Sequence, residues 1–320
     1  MRKNDNLRLN IDEKEGVFTY CCALAIALAI GIVDFVIPEG NTKVIVSYLS
    51  TQIPFLIIPL LYCYWKKINY SAVVPIKEKV KPIGLLLAIP ITIGAFLQNT
   101  ILSVSLNNLF IVFGITPSVT LPAIDTPLNI FVAIITVIIL PAFAEEFLYR
   151  GIIDSAYKEH GVMKTCIISA FIFALSHFNP AQLAHQFVLG FLLSITVALS
   201  GSIWYAVIIH LLNNVIALFI GDIIPAYNSL MVLNWTNVLI LLAMFVGGAI
   251  IVIISFIFFN RTCAKDNLKI SGNPFKVFSK KSTPAYYEGW DNRLSPYTLG
   301  FIAFMIVMSI LPLFIEKIMV

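Results

Sequence analysis

Glu145, Glu146 and Arg150 stand together in AFAEEFLYRG, residues 142–151, near the end of an otherwise apolar run long enough to cross a membrane. An ionised side chain in hydrocarbon costs roughly 2.5 to 3.5 kcal/mol on insertion scales, so a segment that carries three of them does chemistry or anchors a bundle. On a helix, Glu146 and Arg150 (i, i+4) lie about 40° apart and can pair, whereas Glu145 lies about 140° from Arg150 and points elsewhere. One reading makes Glu146 and Arg150 a structural clamp and Glu145 the working group. The other makes all three a single buried polar knot that fixes helix packing.

Three more polar residues interrupt apolar segments. His177 ends FIFALSHF, and His210 and Asn214 sit in WYAVIIHLLNN, one helical turn apart on one face. Asn213, at i+3, competes with Asn214 for that place. A lone histidine in a membrane helix is usually a packing or hydrogen-bonding residue; two of them with an unpaired glutamate and an amide favour a site. Of the other two histidines, His160 in YKEHG is expected to be solvated in a loop. His185 in QLAHQF is expected at a short outer turn, as a supporting group at most.

These residues need helices to hold them. Runs long enough for about 30 Å of hydrocarbon predict an all-α, polytopic transmembrane bundle of nine spans: 17–37, 44–65, 83–113, 128–149, 162–177, 186–199, 203–220, 238–259 and 298–314. The fifth and sixth are short, as re-entrant or cavity-lining helices are. Gln98, Asn99, Asn107 and Asn108 in the third suggest a buried polar face. Of the 21 lysines and arginines, all but Lys43, Lys317 and the intramembrane Arg150 then share the side of the N-terminus. The positive-inside rule makes that side cytoplasmic and puts the C-terminus outside. The glutamates, at the inner end of the fourth span, suggest access from the cytoplasm.

Composition agrees: 59% of the 320 residues are hydrophobic and 12% charged, against about 25% charged in ordinary soluble domains. The net charge of +4 reflects loop topology signals and implies no nucleic-acid partner. The five cysteines show no CxxC and no zinc spacing, so they read as apolar filler. No A-x-A site follows the first apolar run, so the first helix is expected to be retained. Three regions result: N-terminal membrane helices over 1–126, a core over 127–220, and C-terminal helices over 221–320. The basic, aromatic linker at 260–297 suits the anionic inner leaflet.

Glu145-Glu146-x-x-x-Arg150, Phe173-x-x-x-His177 and His210-x-x-x-Asn214, in this order on successive helices, resemble the three motifs of the CPBP intramembrane endopeptidases. That family contains the type II CAAX prenyl endopeptidases and bacterial Abi or bacteriocin-processing relatives. The resemblance covers 127–220 and departs at no motif position. It implies peptide hydrolysis with Glu145 as general base, His177 sharing the attacking water, and His210 and Asn214 donating to the oxyanion. Glu146 with Arg150 would hold the helix, and Phe173 would pack beside the site. This mechanism needs no cofactor.

A rival mechanism gives Glu145, His177 and His210 to a catalytic zinc, although no HExxH is present. The expected partners are the lipid bilayer and hydrophobic or membrane-anchored peptides, in a bacterial cell membrane. Leader peptides or pheromone precursors are favoured over prenylated CAAX tails. A transporter and a non-catalytic immunity or scaffold protein are the other classes open to such a pattern.

Overall fold

The computed structural model describes residues 7–114, 120–264 and 294–319, which are helical with no strand among them. Among the described residues nine long helices follow in order: α1 Glu13–Gly31, α2 Asn41–Trp65, α3 Pro82–Val112, α4 Pro127–His160, α5 Val162–Leu175, α6 Leu183–Ser200, α7 Ile203–Ile223, α8 Trp235–Cys263 and α9 Pro296–Met319. Seven are long and apolar enough to cross a membrane. α5 and Pro296–Ile310 of α9 are shorter apolar helices. The chain is a multi-pass membrane protein.

Local chemistry sets the helix starts. Asp12 caps α1 by accepting from the Glu15 amide at 2.8 Å, and the Glu15 carboxylate returns the bond to the Asp12 amide at 3.3 Å. Arg8 closes this box with a bidentate pair to Glu15 at 2.6 and 2.8 Å. Thr126 caps α4 ahead of Pro127, and Asn234 caps α8.

The main departure from the sequence reading is α4. It does not stop at Tyr149 but continues to His160, about 16 Å further at 1.5 Å per residue. The glutamates therefore sit in the middle of a long helix rather than at its inner end. The chain reverses at Gly161 (φ +86°), a left-handed conformation that glycine adopts freely, and α5 climbs back beside α4. Glu145 and His177 are equally far from Gly161 in sequence, which brings them to the same level.

α3 and α8 approach closely through Gly94 and Gly248. A Cβ on Gly94 would stand 2.8 Å from the Gly248 carbonyl oxygen, and one on Gly248 2.5 Å from that of Gly94. With no hydrophobic drive between helices in lipid, such small-residue contacts let backbones meet. The outer face of α8 exposes Leu239, Val246, Ile253 and Phe258, a surface that suits acyl chains.

Hydrogen bonds tie the helix ends into two opposite layers. In one, the Arg8 amide donates to the Lys67 carbonyl at 2.9 Å and the Trp204 indole to the Ile76 carbonyl at 3.0 Å. In the other, Asn41 donates to Asn129 at 3.1 Å and Asn108 to the Met231 carbonyl at 3.0 Å. Most of the anticipated basic linker, residues 265–293, lies outside the described residues.

Candidate active site

α4 changes pitch on either side of the glutamates, with π turns over Ile134–Ile139 and Phe147–Ile153. Such turns free backbone carbonyls and re-aim side chains, and they occur often at functional sites. Between them Glu145 and Glu146 point to different partners, as their spacing predicts. Glu146 Oε2 lies 3.3 Å from Arg150 Nε, both side chains fully shielded. Arg150 Nη2 also donates to the Gly190 carbonyl at 2.9 Å, and its guanidinium lies 4.8 Å from the Phe173 ring centroid. Glycine at 190 keeps that carbonyl in reach: a Cβ there would stand 2.9 Å from Phe173 Cδ1.

Glu146 has a second partner, His210 Nδ1 at 2.8 Å. A carboxylate held by arginine only accepts, so the imidazole carries its hydrogen on Nδ1 and directs Nε2 away. The pair that fixes α4 also orients an imidazole on α7. Phe173 packs edge-on between Tyr149, His177 and His210, with centroid distances of 5.1, 5.0 and 5.9 Å.

Glu145 faces the other way. Its Oε1 accepts from Gln52 Nε2 of α2 at 2.7 Å, and its Oε2 is 3.8 Å from His210 Nε2. His177 sits in the turn after α5, with Nδ1 2.8 Å from the Phe173 carbonyl. A carbonyl oxygen cannot donate, so the hydrogen is on Nδ1 and Nε2 presents its lone pair. Asn214 Nδ2 donates to the Val137 carbonyl of the first π turn at 3.1 Å, and Asn213 Nδ2 to Asn214 Oδ1 at 3.4 Å.

Glu145, His177, His210, Asn213 and Asn214 all line one cavity of about 1050 Å³. Glu146, Arg150 and Phe173 are packed behind its wall. His185, at the start of α6, also lines the cavity, and its carbonyl accepts from Asn99 at 3.2 Å. The lining continues to Asp34, Leu121, Asn179 and Tyr227 at the far ends of their segments. The cavity therefore reaches the surface opposite the basic loops, which overturns the expectation of access from the basic side; the cause is the extra length of α4 below the glutamates. His160 is also corrected: it is buried, with Nε2 2.6 Å from Glu13 Oε1.

Sequence reasoning passed over Gln52. Its signal was a single amide in an apolar run, the pattern that marks intramembrane sites, but nothing in the spacing tied it to Glu145, 93 positions away. Gln52→Leu is expected to lower kcat roughly 10- to 100-fold by removing a hydrogen bond to a carboxylate; turnover of the purified variant measures this.

Both histidines present Nε2 with Nδ1 tied, the tautomer a metal ligand takes. Yet among the described residues no group of three His, Cys, Asp or Glu stands close enough to hold a metal ion. Glu145, His177 and His210 do not converge as a zinc triad in this conformation.

Residues 127–216 match the family model Rce1-like, described as type II CAAX prenyl endopeptidase Rce1-like, a protease family. No curated protein and no solved structure matches the chain. The matched stretch holds all seven motif residues and excludes Gln52 and Asn99.

Proposed function

We propose that this protease-family core is the working part of an intramembrane endopeptidase that hydrolyses peptide bonds of membrane-associated substrates with a water activated by Glu145. The observation that carries the reading is the convergence of Glu145, His177, His210 and Asn214 on one cavity among the helices. Water held between Glu145 and His177 Nε2 loses a proton to Glu145 as its oxygen attacks the scissile carbonyl. The tetrahedral oxyanion accepts from the second N–H of Asn214 Nδ2. It also accepts from His210 Nε2, which donates only when the ring is doubly protonated, with Glu146 as counter-ion. The C–N bond then breaks, and the proton on Glu145 goes to the leaving amine. Water is consumed, and one acid and one amine are released.

The test is cleavage of a quenched fluorogenic hydrophobic peptide by the detergent-purified protein, with and without a zinc chelator. Chelator-resistant cleavage that falls about 10²-fold or more in His177→Ala, His210→Ala and Asn214→Ala is the expected result. Chelator-sensitive cleavage restored by zinc would replace the metal-free route with the zinc one. No cleavage, with all variants folded and biologically active, would make the motifs packing residues of a scaffold.

A further inference from the structure

The cavity and the basic residues lie at opposite ends of the bundle. The cavity is lined by the middle and later parts of α1, α3 and α7, the early and middle parts of α2, α4 and α6, and the turn after α5. Successive helices run antiparallel, so these parts share one end. Segments 8–14, 66–81 and 158–164, with Arg261, lie at the other end. They carry every described lysine and arginine except Lys43, the buried Arg150 and Lys317 near the end of α9. The cavity end holds Asp34, Glu39, Asp125 and Asp222, and Lys43 there is paired with Glu39. The positive-inside rule places the basic end in the cytoplasm, which puts the mouth of the cavity on the far surface.

The lining also describes its occupant. Asp34 and Glu145 are its carboxylates, and no lysine or arginine lines it among the described residues. Gln52 and Asn99 are 6% and 8% exposed. Each keeps a side-chain oxygen with no hydrogen-bond partner among the described residues, as Asp34 does. A wall with surplus acceptors and negative charge favours an occupant that brings N–H donors and positive charge. Backbone amides of a peptide supply the first, and a lysine or arginine side chain the second.

We propose that the cavity is entered from the extracytoplasmic surface, by an extracytoplasmic stretch of peptide whose lysine or arginine side chain is received by Asp34. This deepens the endopeptidase reading and rests on it for the cutting step alone.

Two measurements test it. Leu121→Cys at the mouth and Lys79→Cys at the basic end are treated in intact cells with a membrane-impermeant maleimide, with the native cysteines as baseline. Labelling of position 121 in intact cells, and of 79 only after lysis, is expected; the reverse pattern overturns the sidedness. In detergent, a quenched peptide with lysine near the cut is compared with its glutamate counterpart. Wild type should favour the lysine peptide, and Asp34→Asn should raise its KM about fivefold with kcat unchanged. Equal KM values in wild type and Asp34→Asn would remove Asp34 from recognition. If neither peptide is cut, the endopeptidase reading fails, and the Kd of the labelled lysine peptide, by fluorescence anisotropy, replaces KM as the readout for Asp34. The maleimide result stands whatever the peptides do.

Discussion

Glu145→Gln lowers kcat about 10³-fold, the middle of the range for a general base, while the protein stays folded and KM changes little. Glutamine matches glutamate in shape, so the contact with Gln52 Nε2, now 2.7 Å, survives through the remaining carbonyl oxygen. What disappears is the group that takes the proton of water. Among the described residues the one other carboxylate on the cavity wall is Asp34, near the mouth. Initial rates on a quenched peptide, with size-exclusion profiles to confirm folding, measure the effect. Wild-type turnover in Glu145→Gln would remove Glu145 from the chemistry and return it to the packing role.

Arg150→Met produces the largest loss of stability, about 3–5 kcal/mol. It leaves Glu146, which is fully buried, without its cation, and it leaves the Gly190 carbonyl without a donor. Thermal unfolding in detergent should show the midpoint lowered by roughly 10 °C. The double variant Glu146→Gln, Arg150→Met removes both charges and should regain much of that stability, because an uncompensated buried charge costs more than a neutral pair. Activity should not return with it, since His210 would lose the carboxylate that serves as counter-ion to its doubly protonated ring. A double variant that recovers stability and turnover together would show that Glu146 serves packing alone.

Much of the site was legible because its parts are local. Glu146 and Arg150 are four residues apart on one helix, and a pair at that spacing meets whatever the surroundings are. The separation of Glu145 from Glu146 follows from the same rotation, and Phe173 and His177 form another i, i+4 pair. His160 misled because it was read as a solvated loop residue, when it ends α4 and packs against Glu13 of α1. The end of α4 misled because the apolar run stops at Tyr149, whereas the helix continues through polar residues that find partners. Ser194 Oγ, for example, donates to Asp154 Oδ2 at 2.6 Å. Hydropathy registers what lipid tolerates, and a helix sheltered by its neighbours is free of that limit.

By itself the sequence determined the all-helical membrane class, the approximate positions of its long helices and the motif residues. The first two follow from apolar run length and helical periodicity, which are properties of neighbouring residues; Phe173 and the three-motif pattern came from the family resemblance. Only the tertiary structure decided that Gln52 of α2 holds Glu145, that Glu146 orients His210, and that the cavity opens away from the basic loops. Those facts depend on contacts between helices far apart in the chain and on how deep each helix lies. Periodicity carries no term for either, so the same letters were equally compatible with a cavity facing the other way.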